Sequence, residues 1–236
     1  MKTSPIRIAA AAALACAGFS VQAVPVQFIG QSNGVGVTVG ATNIPPPNQN
    51  VSAPAGTLQI KVNGVDTLTY CVELTQIVNY GVLDYTLVNG ADYFTTNYFP
   101  GLQAAGLVAG RLGQLFTYLG GIIAAPAGPD QAIYGAAVQL AVWEAVYEED
   151  VPLSLSNGDF TQIAGPANVQ TLANTFLSGA ANLASVYSVS VLQSGIQPNG
   201  GDQDYIVVTR VPEPASLALV GIALAGLGFT ARRRAT

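Results

Sequence analysis

Between Val24 and Val211 the hydrophobic pattern changes period twice, from alternation to helical spacing and back. Val24 to Gly40 alternates apolar residues with Gly, Ser and Thr in VPVQFIG and VGVTV, the pattern of short strands. Asn43 to Gly56 holds Pro45, Pro46, Pro47 and Pro54 and reads as an exposed loop. GTLQIKV and DTLTYCVEL flank the turn signal Asn63-Gly64, which predicts a hairpin from Gly56 to Leu74. Ile77 to Val88 reads as another strand. Asn89 to Pro100 is an aromatic-rich loop whose Tyr93, Phe94, Tyr98 and Phe99 are expected to pack it onto the core. The spacing then predicts three helices: Gly101 to Ala124, Pro129 to Glu148, and Pro166 to Ala184 with Val169, Leu172, Phe176 and Leu183 on one side. Ser185–Leu192 and Asp204–Val211 should pair across Gln197–Gly201. Strands, helices and strands again argue for α+β: sandwich- or barrel-like strands drawn from both ends of the domain, with a helical part inserted.

The two ends of the chain are different in kind. Lys2 and Arg7 precede the apolar run Ile8–Phe19 and then Val21-Gln22-Ala23, which predicts a signal peptide over 1–23 with cleavage after Ala23. Ala13-Leu14-Ala15-Cys16 offers a lipoprotein signal as the alternative, with leucine one position too late for that motif. At the other end Pro212-Glu213-Pro214 leads into an apolar transmembrane stretch over 215–231, followed by Arg232, Arg233 and Arg234. Three arginines would stay cytoplasmic and leave the preceding domain on the far side of the membrane. This 212–236 segment resembles the PEP-CTERM sorting signal of Gram-negative bacteria, a module also labelled ice-binding protein C-terminal domain. The resemblance implies a transient inner-membrane anchor, processing near Pro212-Glu213-Pro214 by an exosortase, and release to the cell surface or extracellular polymer matrix.

The exported part, 24–211, has only Lys61, Arg111 and Arg210 as cations against every carboxylate of the chain but Glu213. Nucleic acid is thereby excluded as a partner, because phosphate contacts need clustered basic residues. There is no histidine anywhere, which removes Ser-His-Asp and Cys-His catalysis and zinc sites that need imidazole. Once a signal peptide is removed Cys71 is the only cysteine, so no internal disulfide is available. A lone exported cysteine calls for intermolecular pairing, an inert buried thiol or a modified one.

Alternation places Thr69, Cys71 and Glu73 on one strand face and Leu68, Tyr70, Val72 and Leu74 on the other. On the second helix Gly135, Ala136, Gln139 and Trp143 share a stripe: small residues that admit another backbone, then an amide, then a large aromatic. Tyr70-Cys71 with an apolar residue following, and Val138-Gln139-Leu140-Ala141-Val142-Trp143, resemble the two motifs of the bacterial thioester domains of Gram-positive surface adhesins. The resemblance spans roughly residues 56 to 160. It implies that Cys71 is the thiol partner and Gln139 the acyl partner of an internal thioester, with Tyr70 and Trp143 as shields. The cell-wall sorting signal, proline-rich stalk and isopeptide-stabilised repeats of those adhesins are not found here.

The chemistry stands on its own terms. A thiolate attacks the Gln carboxamide and expels ammonia, leaving an acyl–sulfur bond that an amine or hydroxyl on a surface or matrix polymer can open. Proximity imposed by folding lowers the barrier, and Glu73 is the candidate base, its bland alternative being a solvated strand carboxylate. This is single-use capture rather than turnover, needs no cofactor or metal, and is not enzymatic. The alternative is a non-covalent structural or adhesive matrix protein with Cys71 inert. Glu148-Glu149-Asp150 reads as a solvated helix end, the alternative being calcium shared with Asp202 and Asp204.

Overall fold

A computed structural model describes residues 23–42, 50–95, 105–121, 128, 130–195 and 201–211. Strand β1 (Ala23–Ala41) is one long strand rather than two short ones. Register shifts at Phe28/Gly30 and Ser32/Val35 bend it, as bulges do, so that it can serve several partners. It pairs antiparallel with β2 (Asn50–Val62) for most of its length, with β4 (Val82–Asn89) at its start and with β5 (Phe160–Ala164) at its end. Strand β3 (Val65–Thr69) joins β2 through the Asn63-Gly64 turn, where both residues have positive φ. From β4 the sheet continues through β6 (Tyr187–Ser194) to β7 (Tyr205–Arg210).

The order β3-β2-β1-β4-β6-β7 does not end in two open edges. Just after β3, the Ile206 N–H donates to the Tyr70 carbonyl and the Val72 N–H to the Asp204 carbonyl, each at 3.1 Å. Cys71 forms a bridge with Tyr205 between these bonds, and the Thr69 hydroxyl donates to the Ile206 carbonyl at 2.7 Å. Six strands are thus closed into a ring at Cys71, which satisfies two otherwise exposed edges. Phe28, Leu58, Ile60, Tyr85, Leu192 and Tyr205 form one apolar cluster. A larger cluster holds the helices, and Cys71 packs against both.

Among the described residues four helices cover the sheet: α1 (Gly90–Thr95), α2 (Ala105–Leu119), α3 (Gln131–Tyr147) and α4 (Ala167–Ala180). Every residue of α3 from Gly135 to Tyr147 is buried, which a helix apolar on all sides requires. Its neighbours are β2, α4, β1 and α2. The acidic end at Glu148 faces Arg111 of α2, whose guanidinium donates to the carbonyls of Glu148, Glu149 and Asp150. That cation offsets the helix dipole where the carboxylates oppose it.

Several expectations change. Residues 51–56 belong to β2 rather than a loop, because β1 offers a continuous partner and Pro54 is accommodated opposite Gly36. The hairpin strand stops at Thr69, two residues before Cys71, and Ile77–Gly81 is irregular. Residues 90–95 are helical because Tyr93 and Phe94 plug into the core in an edge-to-face pair. Strand β5 fell in a stretch with no expected element. Of the acidic helix end, Glu149 and Asp150 are exposed as expected, but Glu148 is buried and accepts the Asp150 and Phe160 N–H groups. Tyr98, Phe99, the 1–22 segment and the 215–231 stretch lie outside the described residues. Among the described residues no helix is long and apolar enough to cross a membrane.

Gly135 sets how near α3 comes to β2. A methyl group added there would stand 2.8 Å from Thr57 Oγ1 and 3.1 Å from the Thr57 nitrogen, too close to backbone to be absorbed by a rotamer change. Gly135→Ala is expected to destabilise the fold by about 1–3 kcal/mol through overpacking, read as a lower denaturant midpoint at unchanged m-value.

Candidate functional site

Closure of the ring turns the N–H of Val72 and the C=O of Tyr70 toward β7. In an extended segment the N–H and C=O of the intervening residue then point to the opposite side, where a further strand would normally pair. Pairing with β2 has ended at Leu58↔Thr69, and α3 occupies the vacated position instead. The Cys71 N–H donates to Gln139 Oε1 at 2.9 Å, and Gln139 Nε2 donates to the Cys71 carbonyl at 3.0 Å. The side-chain amide therefore acts as a one-residue strand. Its orientation is fixed, since turning it over would set two donors and two acceptors face to face.

Residues four apart on α3 follow the same segment of chain. Gln139 meets Cys71, Trp143 lines a cavity with Cys71, and the Tyr147 hydroxyl accepts the Leu74 N–H at 3.0 Å. The cavity has a volume of about 350 Å³. Phe28, Leu58, Tyr80 and Trp143 give it apolar walls, with Glu73 and Gln203 among its polar ones. Tyr80 stands at its rim, 72% exposed, with its ring edge-on to Phe28. Trp143 is 2% exposed, and its indole N–H is buried with no acceptor among the described residues. A buried donor without a partner costs about 1–3 kcal/mol, a cost concentrated here in the cavity wall.

Tyr70 is not in this cavity. Its ring points into the larger core against Phe116, with its hydroxyl 3.1 Å from Thr57 Oγ1. It supports the segment from behind, while Trp143 lines the cavity with Cys71. Gly135 lies one turn before Gln139 and lets α3 reach β2 at Thr57. Glu73 is 6% exposed and lines the cavity, so it is no solvated strand carboxylate. The six sorting-signal residues Pro212, Glu213, Pro214, Arg232, Arg233 and Arg234 lie outside the described residues.

Burial sets the protonation of this site. The Cys71 thiol is pushed up to about 12 by loss of solvation, so it is held as a thiol at neutral pH. Glu73 is raised to about 7, first by burial and also by the negative Asp204 nearby, against a lowering hydrogen bond from Tyr93. Elsewhere on α3, Glu144 is raised to about 8 by burial. Its Oε1 accepts the Ser154 N–H at 2.5 Å, while Oε2 has no hydrogen-bond partner among the described residues.

Residues 210–234 match the family described as the PEP-CTERM protein-sorting motif. The chain carries a PEP-CTERM sorting motif. This motif implies export and processing by an exosortase at the membrane. No curated protein matches the chain. Two solved structures resemble its fold. One is a cysteine-to-alanine mutant of the N-terminal thioester domain of a surface protein from Clostridium perfringens, 14% identical, with a TM-score of 0.44 over 74% of this chain and 99% of that one. Another is the N-terminal thioester domain of a fibronectin-binding protein from Streptococcus pneumoniae, 9% identical, with a TM-score of 0.45 over 78% of this chain and 97% of that one.

Ahead of the PEP-CTERM segment, the domain contains site residues that sequence reasoning missed. Tyr93 is placed by α1, and its hydroxyl lies 2.8 Å from Glu73 Oε1 and 2.7 Å from Asp204 Oδ2. Gln76 and Gln203 complete this network around Asp204. No local pattern ties positions 73, 93 and 204 together; only closure of the ring does. Asp202 and Asp204 are accordingly not grouped with Glu148. Carboxylate oxygens of Glu148, Asp150 and Asp159 do lie within 4.8 Å of one another, though both Glu148 oxygens already accept backbone N–H groups.

Glu73 and Glu144 both bind a proton more tightly in the folded chain than the ordinary carboxylate value of about 4.3 in the unfolded one. Their stabilising contribution is complete below that value and is lost as pH rises through about 7 and 8. Thermal unfolding should therefore occur at lower temperature at pH 9 than at pH 5. Glu144→Gln should flatten the upper part of that dependence.

Proposed function

We propose that this is an exported surface or matrix protein in which Cys71 Sγ and Gln139 Cδ join as an internal thioester. The bond captures an amine or hydroxyl nucleophile on a surface or matrix polymer. The observation that carries this reading is the pair of hydrogen bonds between the Gln139 amide and the Cys71 backbone. They hold the carboxamide beside the residue that bears the thiol, as a preorganised reaction requires.

The same bonds suit the chemistry of closure. Attack by sulfur on Cδ places negative charge on Oε1, which already accepts the Cys71 N–H, so the developing oxyanion has a donor in place. The departing nitrogen is Nε2, which donates to the Cys71 carbonyl. Ammonia leaves, sulfur loses its proton, and the acyl group remains on Cys71. Trp143 and the apolar cavity walls limit water at the bond, while the cavity admits a nucleophile. After opening, the captured group is held through an amide or ester at Gln139 and the thiol is restored.

The PEP-CTERM segment supplies the address. In this reading the chain is anchored transiently in the inner membrane of a Gram-negative cell. An exosortase then sorts it to the surface or the extracellular matrix, where single-use coupling takes place.

A second reading has its own observation. Both hydrogen bonds of the amide are complete without a covalent bond, and burial keeps Cys71 protonated. A non-covalent structural or adhesive matrix protein would use the amide purely as a strand substitute.

Intact mass separates the two. The thioester reading expects the purified chain to be short by the mass of one ammonia, with no deficit in Cys71→Ala or Gln139→Ala. Methylamine should convert the deficit to an adduct on Gln139. A full-mass chain inert to methylamine would leave the non-covalent reading standing.

A further inference from the structure

Tyr93 has one hydroxyl proton, yet its oxygen lies within hydrogen-bond distance of two carboxyl groups, Glu73 and Asp204. Asp204 is the better supplied of the two. Its Oδ1 accepts the Ser194 N–H at 2.6 Å, and its Oδ2 also receives Gln76 Nε2 at 3.3 Å. With Tyr93, three donors can converge on its two oxygens. When Tyr93 donates to Asp204, Glu73 can keep its contact with Tyr93 only by donating a proton of its own. The Glu73 carboxyl is thus held against Tyr93 through Oε1 while the residue forms part of the cavity that contains Cys71. No cation among the described residues competes for it. Lys61 pairs with Asp66, and Arg111 is committed to the end of α3. The titratable groups facing Glu73 are Tyr93 from α1, Asp204 ahead of β7, Tyr147 from α3, and Cys71 and Tyr80 of its own connecting segment.

We propose that Glu73 is the proton-transfer group of the Cys71 cavity, with Tyr93 and Asp204 as positioning residues that hold it and set its protonation. This rests on the thioester reading. In closure, the Glu73 carboxylate takes the thiol proton as sulfur attacks Cδ of Gln139. The tetrahedral intermediate collapses as Glu73 returns that proton to Nε2, which leaves as ammonia. In opening, Glu73 takes a proton from the attacking amine or hydroxyl as the carbon–sulfur bond breaks, and gives it to the Cys71 sulfur. Each half-reaction returns Glu73 to its starting state, so neither consumes an external proton carrier. A group that ionises near neutrality suits both directions, because the carboxylate is available as a base and its acid is strong enough to give the proton back.

The test uses the full chain with methylamine as probe. Loss of the ammonia-deficient species is followed by mass, and the rate is expressed per unprotonated amine across pH 5 to 9. Wild-type opening should accelerate through an inflection near neutrality. Glu73→Gln should be slower by roughly 100-fold or more with no inflection. Formate should restore part of the rate in Glu73→Ala, which loss of a merely structural contact would not allow. Asp204→Asn removes a negative neighbour and should move the inflection to lower pH with the thioester retained; this variant carries the test alone should Glu73→Gln not fold. An unchanged rate and inflection in Glu73→Gln, or an unmoved inflection in Asp204→Asn, overturns the proposal and leaves the thioester reading intact. Absence of the ammonia deficit in the wild type overturns both.

Discussion

Two hydrogen bonds join the amide of Gln139 to the backbone of Cys71. The geometry around them follows from a backbone that must be satisfied on both sides. Cys71 lies where the strand ring closes, so its neighbours bond to β7 and its own polar groups face inward. Buried N–H and C=O groups are rarely left unpaired. A side chain that offers one donor and one acceptor in a plane can replace a strand at that point, and an amide is the neutral group that does so. The constraint that completes the sheet therefore also delivers a carboxamide to a thiol.

Bringing the amide to that position requires a helix that approaches a strand closely. Gly135 permits the approach at Thr57, and Ala136, Ala137, Ala141 and Ala145 keep α3 thin as it passes through the core. Trp143 and Tyr147 supply aromatic bulk beside the segment after Cys71. Charge is managed with similar economy. Arg111 is committed to the carbonyls at the end of α3, while Glu73 and Glu144 are pushed toward neutrality by burial. Among the described residues no cation lines the cavity beside Cys71, and the one carboxyl that does, Glu73, is tied to Tyr93, which also reaches Asp204.

Much of this architecture was legible from residue patterns. Alternation and helical spacing located the three long helices, the Asn63-Gly64 hairpin and the last two strands, because each is set by local period and turn chemistry. The length of β1, the strand at 51–56, and β5 were not legible, since they depend on partners distant in sequence. Helix α1 was hidden by its aromatic content, which reads as a loop until Tyr93 and Phe94 find the core. At the site, short motifs drew attention to Cys71 and Gln139, which lie in hydrogen-bond contact. Alternation put Glu73 with Cys71, and Leu74 on the opposite face, yet all three line one cavity, because the strand has already ended at Thr69 and its period no longer governs these residues. Tyr70 was paired with Trp143 as a shield, yet the two lie on different sides of the segment. Tyr93 and Asp204 carried no signal at all.

The most direct measurement uses the scarcity of basic residues. Trypsin can cut between Lys61 and Arg210 only at Arg111, so Cys71 and Gln139 fall in separate peptides, 62–111 and 112–210. Digestion of the full chain at neutral pH should yield these two as one linked species, short by one ammonia and separated by hydroxylamine. Recovery of two unlinked peptides of full mass, with Cys71 open to alkylation from the outset, would contradict the account.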